Sequence, residues 1–319
     1  FKNDEFSNFV MVLLLKPFKN NDISMIWKLL GWGGCSGPKS FQIIEKSEKS
    51  LFLYGLTNKT MKKSEKKTAH IVYEGPSMLD GSPIVAICTA GSRNTKTGSM
   101  FQLYILAADK EKTPLDINRL GLDFGICGDC KLKGIPAPHK EKGTAEKRPC
   151  YVTLFHGPLL VWKHWKAGKY PAMIPADLAE FGAGETIRLG AYGDPAAIPP
   201  AIIRALISRA AGYTGYSHQF DLIGSDRRPA LASFAMISAD NISEARRHWK
   251  HGRRTFRVIK DLAELDTSAE IICPATAEGG RRTTCADCKL CSGSAIKAKN
   301  IAAVVHGQGS KHLAGAVAL

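Results

Sequence analysis

The chain has 319 residues, 44% of them hydrophobic and 23% charged, an ordinary globular composition that excludes a disordered or collagen-like polypeptide. Lys and Arg number 44 against 29 Asp and Glu, a formal charge of +15, which favours polyanionic partners such as nucleic acid or nucleotides over a neutral or acidic surface. At roughly 100–200 residues per domain, the length suits one large domain or two small ones.

No stretch reaches the ~18 apolar residues of a membrane helix. Phe9–Leu15 is the best candidate and is far shorter. Asp4 and Glu5 flank it and no alanine precedes Ala69, which argues against a cleaved leader. We therefore expect no membrane association and a cytoplasmic location. There, nine cysteines point to metal or redox chemistry rather than to disulfides.

Residues 1–68 contain no alanine and residues 1–92 no arginine, whereas both abound from Arg93 onward. Met61 opens the basic run MKKSEKK. We read Met61 as the natural start, residues 1–60 as a dispensable extension, and residues 61–319 as a single domain. On that reading Trp32 and Cys35 carry no chemistry. The alternative is a genuine extension with helices around Phe9–Lys16 and Ile23–Leu30.

From Ile84 onward, short apolar runs alternate with helical spacing. Strands are expected at 83–88, 101–107, 151–155, 186–192, 213–218, 231–238, 255–259, 270–272 and 301–305. Helices are expected at 157–168, 199–211 and 242–250. Strand–helix alternation implies an α/β fold with a parallel sheet. The number of strands favours a barrel-like, incomplete TIM-type arrangement, with cysteine-rich metal-binding loops at 127–150 and 273–291.

The C-terminal cysteines carry the strongest signal. Cys273-Pro274 is followed by Cys285, Cys288 and Cys291. A C-x2-C-x2-C run plus a remote Cys-Pro is the ligand pattern of ferredoxin-type [4Fe–4S] sites, and zinc is the competing ion for four thiolates. A second group is Cys127, Cys130 and Cys150. Three thiolates leave a cubane one ligand short, so either an iron stays open or His139, His156 or Cys88 completes the set; a Cys3His zinc site with His139 is equally simple to build.

Three strand ends carry polar groups: Asp194 in GAYGDP, His218 after TGYS, and Asp240 after the 231–238 run. Parallel strands present such ends on one face, where α/β folds place catalysis. Asp194, His218 and Asp240 are thus expected to line one pocket, although Asp194 and Asp240 also suit helix caps. Arg246, Arg247, Lys250, Arg253 and Arg254 form a candidate nucleic-acid patch on or after one helix, and Trp162, Trp165 and Trp249 are either stacking platforms or core.

The ordered set CGDC, CY, GPLLVWKHWKAGKYP, RLGAYGDPAAIP, TGYSH and CPA before C-x2-C-x2-C resembles a family of phage and prophage proteins of unassigned function, from about Asn94 to about His306. More distantly it is similar to radical S-adenosylmethionine enzymes. That likeness implies a catalytic cluster on Cys127, Cys130 and Cys150, with S-adenosylmethionine as a cofactor. It further implies Asp194 facing cofactor or substrate, and an auxiliary cluster on Cys273, Cys285, Cys288 and Cys291. The C-x3-C-x2-C loop of those enzymes is absent here. The expected function is an iron–sulfur enzyme acting on a nucleotide or nucleic acid. The alternatives are a zinc-stabilised nucleic-acid-binding protein and a base-exchange barrel resembling tRNA-guanine transglycosylases, whose C-x-C-x2-C run is likewise missing.

Overall fold

The computed structural model describes residues 68–91, 94–307 and 309–314, and the backbone of two further strands, β1 (Phe41–Ser47) and β2 (Ser50–Gly55). The expected helices at 9–16 and 23–30, with Trp32, Cys35 and Met61, lie outside the described residues. The chain divides into two units at Lys63/Ser64. In the first, β1 and β2 pair antiparallel, with Phe41 opposite Gly55.

The second unit holds a nine-stranded sheet. Its strands are β3 (His70–Pro76), β4 (Pro83–Thr89), β5 (Phe101–Ala107), β6 (Thr186–Tyr192), β7 (Gly212–Ser217), β8 (Met236–Ala239), β9 (Thr255–Ile259), β10 (Glu270–Ile272) and β11 (Asn300–Val304). The spatial order is β10-β11-β9-β8-β7-β6-β5-β4-β3. β4 runs antiparallel to both its neighbours, β3 and β5; every pairing from β5 to β10 is parallel. The sheet is open, with β3 and β10 at its edges, so the expected barrel does not close. The antiparallel β3–β5 meander ends the parallel series, and β11 inserts between β9 and β10.

The apolar runs build the core. Ile84 to Cys88 on β4 are buried without interruption, the mark of a strand covered on both faces. Leu103, Ile105, Ile187 and Leu189 continue that layer on β5 and β6. Helices α1 (Pro114–Arg119), α2 (Phe124–Cys127), α3 (Gly157–Lys166) and α4 (Leu178–Gly182) fill the long β5–β6 connection. Helix α5 (Pro200–Ile207) follows β6, α6 (Arg228–Phe234) follows β7, α7 (Ile242–Trp249) follows β8, and α8 (Cys285–Cys288) lies between β10 and β11. Trp162 and Trp165 on α3 are buried, so they are core residues and not stacking platforms.

Two strand expectations fail. Residues 151–155 form no strand; Tyr151 and Phe155 are exposed, and the carbonyls of Cys150 and Val152 are taken by Arg148. Residues 231–238 divide into the end of α6 and the strand β8. Pro229, in the first turn of α6, has the fixed φ that suits a helix start.

Candidate metal centres

Because β6, β7, β8 and β10 are parallel, the residues that follow them share one end of the sheet: Asp194 after β6, His218 after β7, Asp240 after β8 and Cys273 after β10. His218 is the hub. Its Nδ1 lies 3.4 Å from Cys130 Sγ and its Nε2 lies 3.5 Å from Asp240 Oδ1. Its backbone N–H donates to Asp194 Oδ2 at 2.9 Å. Asp194 Oδ1 also accepts from Ala196 N and Ser217 Oγ. Burial raises the Asp194 pKa while these bonds work the other way. With both oxygens engaged, Asp194 caps the turn after β6 and fixes His218.

The loop carrying Cys127 and Cys130 is pinned from the same strand end. Gln219 Nε2 donates to the Cys127 carbonyl, and Gln219 Oε1 accepts from Asp129 N. Gly128, at φ +54°, leaves room for that amide; a Cβ there would sit 1.9 Å from Gln219 Oε1. Cys150 enters through its N–H, which donates to the Leu132 carbonyl. Burial first, then Asp123, Cys130 and Cys150, push the Cys127 thiol well up. Burial likewise raises Cys150; Arg148 offsets part of this and Cys130 adds to it. Burial works against the imidazolium of His218, but Cys130 and Asp240 on its two sides outweigh it and raise its pKa. Cys130 Sγ and His218 Nδ1 thus meet at 3.4 Å, with Cys127 and Cys150 near enough to Cys130 to raise one another's pKa.

Sequence reasoning named His139, His156 or Cys88 as the completing ligand. None of them is placed there. His139 is an exposed partner of Glu146, His156 is exposed at the start of α3, and Cys88 is buried in β4. His218 stood in the sequence as a strand end; its 88-residue separation from Cys130 gave no spacing signal. Its link to Asp240 is the arrangement in which a carboxylate fixes the tautomer of a metal-binding histidine.

The C-terminal cysteines form the second group. Cys273, Cys285 and Cys291 pack in one cluster with Tyr216. Burial pushes the Cys291 thiol up to about 12, the Tyr216 hydroxyl opposes this, and Cys273, Cys285 and Cys288 add to it. Backbone bonds hold each part: Cys273 N to the Ala302 carbonyl, Gly215 N to the Cys291 carbonyl, and Cys285 N to the Lys96 carbonyl. Thr284 caps α8 by accepting from Asp287 N.

Tyr216 and Arg188 link the two groups. Tyr216 stands two residues before His218, and its hydroxyl reaches Cys291. Arg188 on β6 donates to the hydroxyl of Tyr151, the neighbour of Cys150, and is charge-coupled to both Tyr216 and Cys285.

No known protein family, curated protein or solved structure matches this chain. The site therefore stands on its own geometry.

The expected nucleic-acid patch does not present five free charges. Arg254 is buried, with its guanidinium bonded to the carbonyls of Leu290, Gly293, Ala298 and Lys299. Arg246 pairs with Asp266 and Arg247 with Asp221. Arg253 lies over the Phe220 ring, and Lys250 is exposed. Trp249 donates to Thr255 Oγ1. A basic recess lies elsewhere, beside Cys150. It measures about 540 Å³, and Lys140, Lys142, Lys147, Arg148 and His312 are among its lining residues. No helix of the described residues is long and apolar enough to cross a membrane.

Proposed function

We propose that this protein is a two-centre iron–sulfur enzyme that acts on a nucleotide. Cys127, Cys130, Cys150 and His218 would hold the first cluster. Cys273, Cys285, Cys288 and Cys291 would hold the second. The observation that carries the reading is the pair of cysteine groups, Cys127, Cys130 and Cys150 beside His218, and Cys273, Cys285 and Cys291 around Tyr216. Among the described residues no three cysteine sulfurs lie mutually within 4.8 Å. A single tetrahedral zinc with Zn–S of about 2.3 Å would draw its sulfurs to roughly 3.8 Å, whereas a cubane spaces them further apart.

As fourth ligand, His218 would take the corner that S-adenosylmethionine needs on the first cluster, so that cofactor does not enter the proposal. A neutral imidazole in place of a fourth thiolate raises a cluster's potential. Cys273, Cys285, Cys288 and Cys291 would then hold the lower-potential centre, and the group with His218 would hold the higher-potential one next to the basic recess. That recess falls in the ~300–1,000 Å³ range of small-ligand sites, and its lysines suit phosphate oxygens.

The alternative is zinc at the first centre in a non-catalytic binding protein. It is favoured by the 3.4 Å between Cys130 Sγ and His218 Nδ1, a separation that two ligands of one ion share. Anaerobic purification followed by iron, sulfide and zinc analysis decides between the two. Iron and sulfide in equal amounts, with two distinct reduction steps, support the proposal. Zinc with neither iron nor sulfide overturns it.

A further inference from the structure

We propose that Asp221, Glu244 and His248 form a separate site for an exchangeable divalent cation of the Mn2+, Fe2+ or Zn2+ kind. Glu244 and His248 stand four residues apart on α7, which puts them on one helix face. Asp221 comes from the segment that leaves β7. One ligand atom from each lies within 4.8 Å of the other two. Two carboxylates and an imidazole are a donor set that suits these borderline ions.

Acidic groups near one another are common, and two carboxylates alone would mean little. The second observation is His248 itself. Only 1% of it is exposed, and neither ring nitrogen has a hydrogen-bond partner. Its ring is held edge-on against Phe220 at 5.4 Å. A buried polar group left unpaired costs about 1–3 kcal/mol, and native proteins rarely leave one without a reason. Burial lowers the His248 pKa to about 4, against the pull of Asp221 and with help from Arg247, Arg253 and His251. The imidazole is therefore neutral near pH 7, with a lone pair available to an ion.

The carboxylates already hold a cation. Arg247 lies 2.6 Å from Asp221 Oδ2 and 3.7 Å from Glu244 Oε1. Its guanidinium bridges the two acids but makes no hydrogen bond to either imidazole nitrogen. The side chain is half exposed, so it can swing into water when an ion takes its place. Arg247 is thus the built-in competitor of the ion, and with Arg228 and Arg253 nearby it keeps the site weak and exchangeable.

The site also touches the first cysteine group. Glu244 Oε2 accepts the backbone N–H of Asp240, the residue whose carboxylate faces His218. An ion on Glu244 would pull on the strand end that orients His218.

The test is titration of the full-length protein with Mn2+, followed by the electron paramagnetic resonance of free Mn2+. Manganese is chosen because thiolates favour softer ions. One saturable ion per chain is expected. H248Q and E244Q should each weaken binding at least about tenfold, the loss typical when a metal site is impaired. R247A should tighten it several-fold by removing the competing charge. Iron and sulfide content should be unchanged in H248Q and R247A, which separates this site from the cysteine groups. If neither the wild type nor R247A binds Mn2+, or if H248Q binds as the wild type does, the proposal is overturned.

Discussion

Cys130 and His218 are 88 residues apart in sequence and 3.4 Å apart in space. One belongs to the long β5–β6 connection and the other to the end of β7, so the contact exists only once the parallel sheet has formed. Asp240, at the end of the neighbouring β8, lies behind the imidazole. Substituting Asp240→Asn keeps the shape but removes the charge that fixes the tautomer. Losses of about 10–100-fold in metal affinity are usual for such partners. We expect the first centre to lose its metal to a mild chelator while the second keeps it. His218→Ala should remove the first centre outright. Metal content per chain, measured before and after chelation, reads both; equal retention by D240N and the wild type would contradict the role assigned to Asp240.

Much of this arrangement was legible beforehand, and the rest was hidden for identifiable reasons. The strands at 101–107, 186–192 and 255–259 and the helices at 157 and 242 were carried by apolar periodicity, and they appear where expected. Asp194, His218 and Asp240 were expected to line one pocket; a hydrogen bond joins His218 to Asp194, and its ring lies 3.5 Å from Asp240. Chemical roles were harder to read than positions. Asp194 looks like a catalyst in sequence, yet its oxygens are consumed by Ala196, Ser217 and His218. Arg254 looks like a surface charge within a basic run, yet it is buried among carbonyls. Sheet closure was not legible either, because periodicity counts strands and says nothing of their order. The segment at 151–155 misled because an apolar run reads as a strand whether or not a ladder partner is free. Here Arg148 takes the carbonyls of Cys150 and Val152.

Acid sensitivity should arise at α1. The Thr113 hydroxyl first, and then the Arg119 guanidinium, hold the Asp116 carboxyl below the usual carboxylate range. Thr113 and Asp116 also cap each other's backbone in a capping box. A depressed carboxylate contributes stability above its unfolded value of about pH 4, and that contribution is lost as the pH falls through the lower folded value. Asp116→Asn should therefore lower the urea midpoint at about pH 7, with the gap to wild type closing below about pH 3. A gap that is constant across this range would show that the charge is not its source.

Gly279 should be intolerant of any side chain. A Cβ there would lie 2.1 Å from the Cys273 carbonyl oxygen and 2.8 Å from Pro274 Cα. Both are backbone atoms, which cannot rotate away. Gly279→Ala must displace the Cys273-Pro274 segment, and with it one of the four sulfurs. Overpacking typically costs about 1–3 kcal/mol. We expect G279A to fold but to lose much of the metal of the second centre, with the first centre unaffected. Full loading of both centres in G279A would show that the segment can shift without cost to the ligand set.

Arg254 is expected to organise the loop that carries the last cysteines. Its Nε donates to Ala298, one terminal nitrogen to Leu290 and Gly293, and the other to Lys299, all through backbone carbonyls. These are the carbonyls of a segment that, from Lys289 to Lys299, has no regular structure of its own. One buried guanidinium therefore replaces the ladder that a strand would have supplied. Burial lowers the Arg254 pKa, and Cys291 works in the opposite direction, so the charge sits where a thiolate ligand set would balance it. Arg254→Met keeps much of the apolar stem and removes every donor. Hydrogen bonds to charged groups are worth about 1.5–3 kcal/mol each, so the orphaned carbonyls should turn outward to water and open the loop. Limited proteolysis should then cut within residues 288–299 of R254M but not of the wild type, and thiol reagents should reach Cys291. Arg254→Lys should rescue only in part, because an ammonium cannot span the carbonyls that a planar fork reaches. Complete rescue by lysine would mean that the charge alone matters, and not the geometry of the guanidinium.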